Sequence, residues 1–329
     1  MKGIRVDDIF KIEDNSTFRK KAFEIFKYQA ENNSVYRQFI HSLGRAPANV
    51  SLLNEIPFLP VEIFKNHKVI SGVAPVETVF ESSGTTGSSF SRHYLVDTSL
   101  YERSFLKAFN FFYGDPADYL IIALLPSYTE RKNSSLVHMM DHLIRKSVHS
   151  ESGFYGDNYQ ELISVINNPG SSKRKAFLLG VSFALLDLAE KYAPDLSGVI
   201  VMETGGMKGR RKELTREELH SILKNKLNVT SVHSEYGMTE LLSQAYSKGD
   251  GLFKCPPWMR ILIRDPQDPL TVISEPGKIG GINIIDLANI HSCSFIATGD
   301  LGRLHPDGSF EVLGRLDDQD IRGCNLLAV

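Results

Sequence analysis

The run Glu81-Ser82-Ser83-Gly84-Thr85-Thr86-Gly87-Ser88-Ser89 holds the residues with the clearest capacity for chemistry. Hydroxyls and backbone N–H groups in such a loop can wrap phosphate oxygens, and its glycines let the main chain come close to them. It is not a Walker A loop, since no G-x-x-x-x-G-K-[ST] is present. A plain solvated turn uses the same residue types, so the loop alone leaves both readings open. Three other places carry reactive groups. Gly180-Val181-Ser182-Phe183-Ala184 approximates the G-x-S-x-G elbow of an α/β hydrolase, with His291 or His305 as nominal bases. His138 and His142 are spaced to share a zinc ion, but the Glu of H-E-x-x-H is missing and a helix face is the plainer reading. Three cysteines, Cys255, Cys293 and Cys324, form no C-x-x-C pair and suit a reducing compartment.

These residues must be held by a fold. The chain has 329 residues, 42% of them hydrophobic, and a formal net charge of −2, so no general attraction to nucleic acid or anionic membrane is expected. The N-terminus lacks an apolar signal segment and no stretch is long enough to span a membrane, which predicts a cytoplasmic protein. Residues 17–43 read as helical. Short apolar runs at Val76–Phe80, Tyr119–Leu125, Ala176–Leu179, Val199–Met202 and Thr230–His233 read as strands. They alternate with helical patterns at Ser99–Phe112, Leu136–Arg145, Phe183–Tyr192 and Arg216–Lys226, which predicts an α/β fold with a mostly parallel sheet. Beyond about residue 250, short β segments at Trp258–Arg264, Leu270–Ile273, Gly281–Ile285 and Phe310–Leu313 predict a smaller antiparallel, barrel-like part.

The loop does not stand alone. Glu81–Gly87 resembles the phosphate loop of the adenylate-forming superfamily of acyl-CoA synthetases, adenylation domains and luciferases. Tyr236-Gly237-Met238-Thr239-Glu240 resembles its Tyr-Gly-x-Thr-Glu motif, Thr298-Gly299-Asp300-Leu301-Gly302 its Thr-Gly-Asp motif, and Gly314-Arg315-Leu316-Asp317-Asp318 its Gly-Arg-x-Asp-Asp motif. The four follow in family order over most of the chain. The resemblance implies ATP and Mg²⁺ as cofactors. Tyr236 would stack on adenine, Thr239 would donate to the α-phosphate, and Glu240 would hold Mg²⁺. Asp300 would accept the ribose hydroxyls, and Arg315 would contact ribose or phosphate. Gly205 and Gly206 would lie beside adenine, with Glu235 accepting from its amino group. The usual lysine after the loop is absent, so Arg92 becomes the candidate cation there. Residues 1–314 would form the adenylation domain (1–75 helical, 76–250 α/β core, 251–314 β-rich), with 315–329 a tail. The family's mobile C-terminal domain, which carries an assisting lysine, has no counterpart among these residues.

Within that superfamily the chain resembles the acyl-protein synthetase family, the LuxE-like component of fatty-acid reductases. The resemblance rests on Pro126-Ser127-Tyr128 to Asn133-Ser134-Ser135-Leu136, on Glu203–Gly209, and on Ile321-Arg322-Gly323-Cys324. It implies a carboxylic acid, a fatty acid by this resemblance, activated as acyl-AMP, with Cys324 as acyl acceptor and a reductase as partner. Ordinary acyl-CoA ligation, a non-catalytic nucleotide-binding subunit and the hydrolase stand as alternatives.

Overall fold

Tyr119–Leu124 is buried at every position, as befits a strand covered on both faces. The structure is a computed structural model that describes residues 4–82, 90–126, 133–168, 175–206 and 214–316. Ser83, Gly84, Thr85, Thr86, Gly87 and Cys324 therefore lie outside the described residues. In chain order the strands are β1 (Leu59–Pro60), β2 (Thr78–Glu81), β3 (Arg92–Leu95), β4 (Tyr119–Leu124), β5 (Gly153–Phe154), β6 (Lys175–Val181), β7 (Val199–Thr204) and β8 (Val232–Tyr236). They continue with β9 (Ala245–Ser247), β10 (Phe253–Lys254), β11 (Met259–Arg264), β12 (Val272–Ile273), β13 (Ile279–Asp286), β14 (Phe295–Leu304) and β15 (Phe310–Arg315).

Strands β5, β4, β6, β7 and β8 pair in parallel. Helices such as Ser182–Lys191 and Arg216–Leu227 make the crossovers. The apolar runs needed for this core were readable: β4, β6, β7 and β8 and the helices beside them lie within a few residues of their expected places, whereas β5 and the helix Tyr159–Ile166 were not expected. At β8 the pattern changes, because β9 returns antiparallel to it. The C-terminal strands then extend the same sheet in the order β9, β10, β15, β14, β13, β11, β12. The expected small barrel is thus corrected: among the described residues the strand path is open, and the antiparallel part continues the parallel one.

Two further expectations change. The helix over 17–43 is two helices, Asn15–Asn32 and Ser34–Ser42. Asn33 separates them, since its extended backbone ends the first helix and its side chain accepts from Tyr36 N to cap the second. Strands β2 and β3 pair antiparallel, with Glu81 opposite Arg92, where only the first of them was expected.

The first helix is stapled to the far end of the sheet. Buried Gln29 donates to the carbonyls of Asn289 and Ile290 and accepts from Ser294 N. Phe26 and Tyr36 pack on Phe295 at the start of β14. No helix among the described residues is long and apolar enough to cross a membrane.

Candidate active site

The carboxyl ends of β7 and β8 open into a cleft of about 340 Å³. This is where a parallel sheet that changes direction leaves a crevice for ligands. Thr204 ends β7 and Gly205 follows it, Glu235 comes from β8, and Gly237, Thr239, Glu240 and Gln244 come from the turn between β8 and β9. Ser82 enters from the hairpin, Ser134 and Ser135 from the start of the helix Ser135–Lys146, and Arg315 from β15. Segments far apart in sequence thus meet at one opening.

Asp300 and Arg315 are directly opposed on β14 and β15. Their side chains form an ion pair at 2.9 Å, as opposite charges at facing positions favour. A side chain at Gly299 would crowd Arg315, whose Nη2 lies 3.1 Å from an ideal Cβ there. Tyr236 donates its hydroxyl to Asp300 at 2.8 Å, and its ring packs edge-on against Phe253 and Phe310. Tyr236, Asp300 and Arg315 are therefore one linked unit, of which Arg315 reaches the cleft wall.

The turn after β8 is held from behind by buried polar groups that sequence reasoning missed. His93 on β3 donates from Nδ1 to the Thr239 carbonyl at 2.8 Å. Asn289 donates to the Glu240 carbonyl at 2.7 Å. Asp286, wholly buried, accepts from the backbone of Leu242 and Ser243. No helix begins here, so neither Thr239 nor Glu240 caps one. The Thr239 hydroxyl has no partner among the described residues. Glu240 is 4% exposed; burial raises its pKa, and a hydrogen bond from Ser91 opposes that rise. Lys65 was also missed. Strand β1 pairs with β14, and Val61 N donates to the Ala297 carbonyl, which brings Glu62 and Lys65 to the cleft. No periodicity or motif in 57–65 announces that pairing.

Other expected residues lie elsewhere. Arg92 is ion-paired with Glu81 at 3.1 Å across the hairpin and is not in the cleft wall. Gly206 is exposed beside Gly205. Ser182 donates to the Gly205 carbonyl at 2.7 Å and approaches Glu203 at 3.3 Å. No histidine bonds it among the described residues, and His305 instead pairs with Glu311. The elbow is a structural contact in this fold. His138 and His142 both turn to Glu102, at 3.0 and 3.6 Å. Cys255 and Cys293 are pushed up by burial, Cys293 to about 12, so neither offers a thiolate near neutrality.

Glu235 accepts a hydrogen bond from the Thr204 hydroxyl. Burial pushes its carboxyl up to about 7, the neighbouring Glu203 adds to that, and Thr204 pulls the other way. The folded chain thus holds a proton here that the unfolded chain releases between about pH 4.5 and 7. Stability falls as pH rises through that window. Glu235→Gln cannot ionise, so it should gain on the parent by on the order of 1–3 kcal/mol above about pH 7 and not near pH 4.5. Thermal unfolding of both proteins at the two pH values measures this; an equal difference at both would overturn it.

With that geometry in view, the comparison with solved structures is decisive for the fold. The chain shares its fold with the solved structures that follow. ATP-bound MatB from Rhodopseudomonas palustris matches with a TM-score of 0.54 at 18% identity, over 74% of this chain and 49% of that one. The 2-hydroxyisobutyryl-CoA ligase bound to 2-HIB-AMP matches at 0.68 and 14% identity, over 92% of this chain and 68% of that one. The amide bond synthetase McbA from Marinactinospora thermotolerans matches at 0.51 and 16%, over 83% and 54%. The chain thus spans about half the length of MatB. No protein-family model and no curated protein sequence matches it.

Proposed function

We propose that this chain is an adenylate-forming acid–thiol ligase. A carboxylate oxygen attacks the α-phosphorus of ATP and pyrophosphate leaves. A thiolate then attacks the acyl carbon of the mixed anhydride, and AMP leaves. The observation that carries this is the convergence of Ser82, Thr239, Glu240 and Arg315 on one cleft, with Arg315 tied to Asp300 and Asp300 to Tyr236 behind it. Residues 1–314 form the adenylation unit on this reading, with 315–329 as a tail.

Asp300, oriented by Tyr236 and Arg315, receives the ribose hydroxyls. Thr239 donates to the α-phosphate, and Ser82 begins the loop around the outer phosphates. Glu240 is the residue to hold Mg²⁺, with Glu62 on the same cleft wall. A buried carboxylate whose pKa is raised fits a hard cation, which would restore its charge. Bound there, Mg²⁺ neutralises phosphate charge.

The thiol is the finer question. The 2-hydroxyisobutyryl-CoA ligase matches 92% of this chain, which favours a soluble CoA-type thiol. The Ile321-Arg322-Gly323-Cys324 resemblance favours Cys324 as acceptor and a reductase as the next partner. Full-length protein incubated with radiolabelled acid, ATP and Mg²⁺ separates them on denaturing gels. Label that needs added CoA and leaves the chain supports the ligase. Label that stays on the chain and vanishes in Cys324→Ala supports self-acylation. Absence of pyrophosphate release with every acid would overturn both.

Lys65 adds a test. It lies in the cleft wall and makes no ion pair among the described residues. We expect Lys65→Met to raise the KM for ATP about tenfold, the equivalent of one charge-assisted contact to phosphate. An unchanged KM in steady-state kinetics would remove Lys65 from the phosphate site.

A further inference from the structure

Two polar side chains stand at one wall of the cleft with few partners, Gln244 buried and Glu235 half-buried. Gln244 is 4% exposed, and its Oε1 is buried with no hydrogen bond among the described residues. Glu235 accepts only from Thr204 among the described residues. Both crowd the same side of Gly237. An ideal Cβ there would meet Glu235 Oε1 and would sit 3.3 Å from Gln244 Cγ. Both residues line the cleft, next to Tyr101 and Met139.

Strand alternation sorts the cleft into two ends. Tyr236 points to Asp300 and Arg315, and its neighbour Glu235 must point to the opposite face of β8. On the adenylation reading, the nucleotide sugar belongs with Tyr236 and Asp300. Glu235 and Gln244 then belong to the end that takes the acid. A purely hydrocarbon acid would bury Gln244 Oε1 against methylene groups without a donor and leave Glu235 with Thr204 alone.

We propose that the acid substrate carries a hydrogen-bond donor on its carbon skeleton, a hydroxyl or an ammonium group, received by Gln244 Oε1 and the Glu235 carboxyl. This inference rests on the adenylation reading and goes beyond it by excluding unsubstituted fatty acids as preferred substrates. A site built around a substrate donor discriminates strongly against analogues that lack it, because its own polar atoms are then stranded. The elevated proton affinity of Glu235 is consistent with a carboxyl awaiting such a partner.

The test is ATP–pyrophosphate exchange on full-length protein with matched acids, each skeleton supplied unsubstituted, hydroxylated and aminated, from acetate-sized to octanoate-sized. The expected result is exchange at least about tenfold faster with a donor-bearing acid than with its unsubstituted match. Gln244→Leu should bring that ratio close to one. It should keep or raise the melting temperature, since it removes a stranded acceptor. Glu235→Gln should abolish a preference for the ammonium and spare one for the hydroxyl, which distinguishes the two donors. Equal or faster exchange with unsubstituted acids, or a ratio unmoved in Gln244→Leu, overturns the inference. ATP binding by calorimetry without exchange on any donor-bearing acid also overturns it and leaves the nucleotide site standing. Failure to bind ATP overturns the adenylation reading itself.

Discussion

Replacing Thr239 by valine should slow acyl-adenylate formation by about 10²- to 10³-fold and change the KM for ATP little. The substitution keeps the β-branched shape and removes only the hydroxyl. That hydroxyl lies in the cleft wall without a partner among the described residues. The backbone behind it is fixed, because His93 donates to the Thr239 carbonyl and Asn289 to the Glu240 carbonyl. A donor held this way costs little to reorganise as negative charge builds on the α-phosphate, and the loss of one such donor typically costs the stated factor. The effect belongs to the transition state, so it should appear in kcat and not in ground-state nucleotide binding. Pyrophosphate-exchange kinetics at saturating acid measure it. A fall of less than about threefold would show that Thr239 does not stabilise that charge.

Much of this site was legible because its parts are local. Tyr236–Glu240 and Thr298–Gly302 are contiguous segments whose residue types announce an aromatic face, a hydroxyl and carboxylates. Apolar runs such as Tyr119–Leu124 mark strands directly. What was not legible depends on long-range pairing. Lys65 reaches the cleft because two residues of β1 add to β14, more than two hundred positions later. His93 and Asn289 meet behind Thr239 from 196 positions apart. Nothing in either neighbourhood distinguishes them from ordinary polar residues. Gln244 gives no signal either, since its significance is the absence of a partner in a buried place. The barrel-like expectation failed for a related reason. Short strands separated by Gly and Asp specify antiparallel pairing without specifying which edge of which sheet they join.

The largest stability effect is expected at Asp286, the last residue of β13. Its carboxylate accepts from Leu242 N, Ser243 N and Ala288 N, at 2.8, 2.9 and 3.1 Å, and from the Ser243 hydroxyl at 2.6 Å. The side chain is wholly buried, so these donors are its compensation for lost water. Asp286→Ala would strand three backbone N–H groups and a hydroxyl, at a cost of about 3–5 kcal/mol, which threatens the fold itself. Asp286→Asn is the more informative change. It keeps the volume and one acceptor oxygen but turns an NH₂ toward donors, so about 1–3 kcal/mol should be lost and the melting temperature should fall by several degrees. Function should suffer as well. Ser243 links this carboxylate to Trp258 Nε1 and Ser104, and the same turn carries Glu240 on one side and Gln244 on the other. Loosening it displaces both groups from the cleft wall. The Asn variant should therefore lose kcat at temperatures where circular dichroism still reports a folded chain. Full activity with a lowered melting temperature would show that Asp286 supports the fold alone and does not set the geometry of Thr239–Gln244.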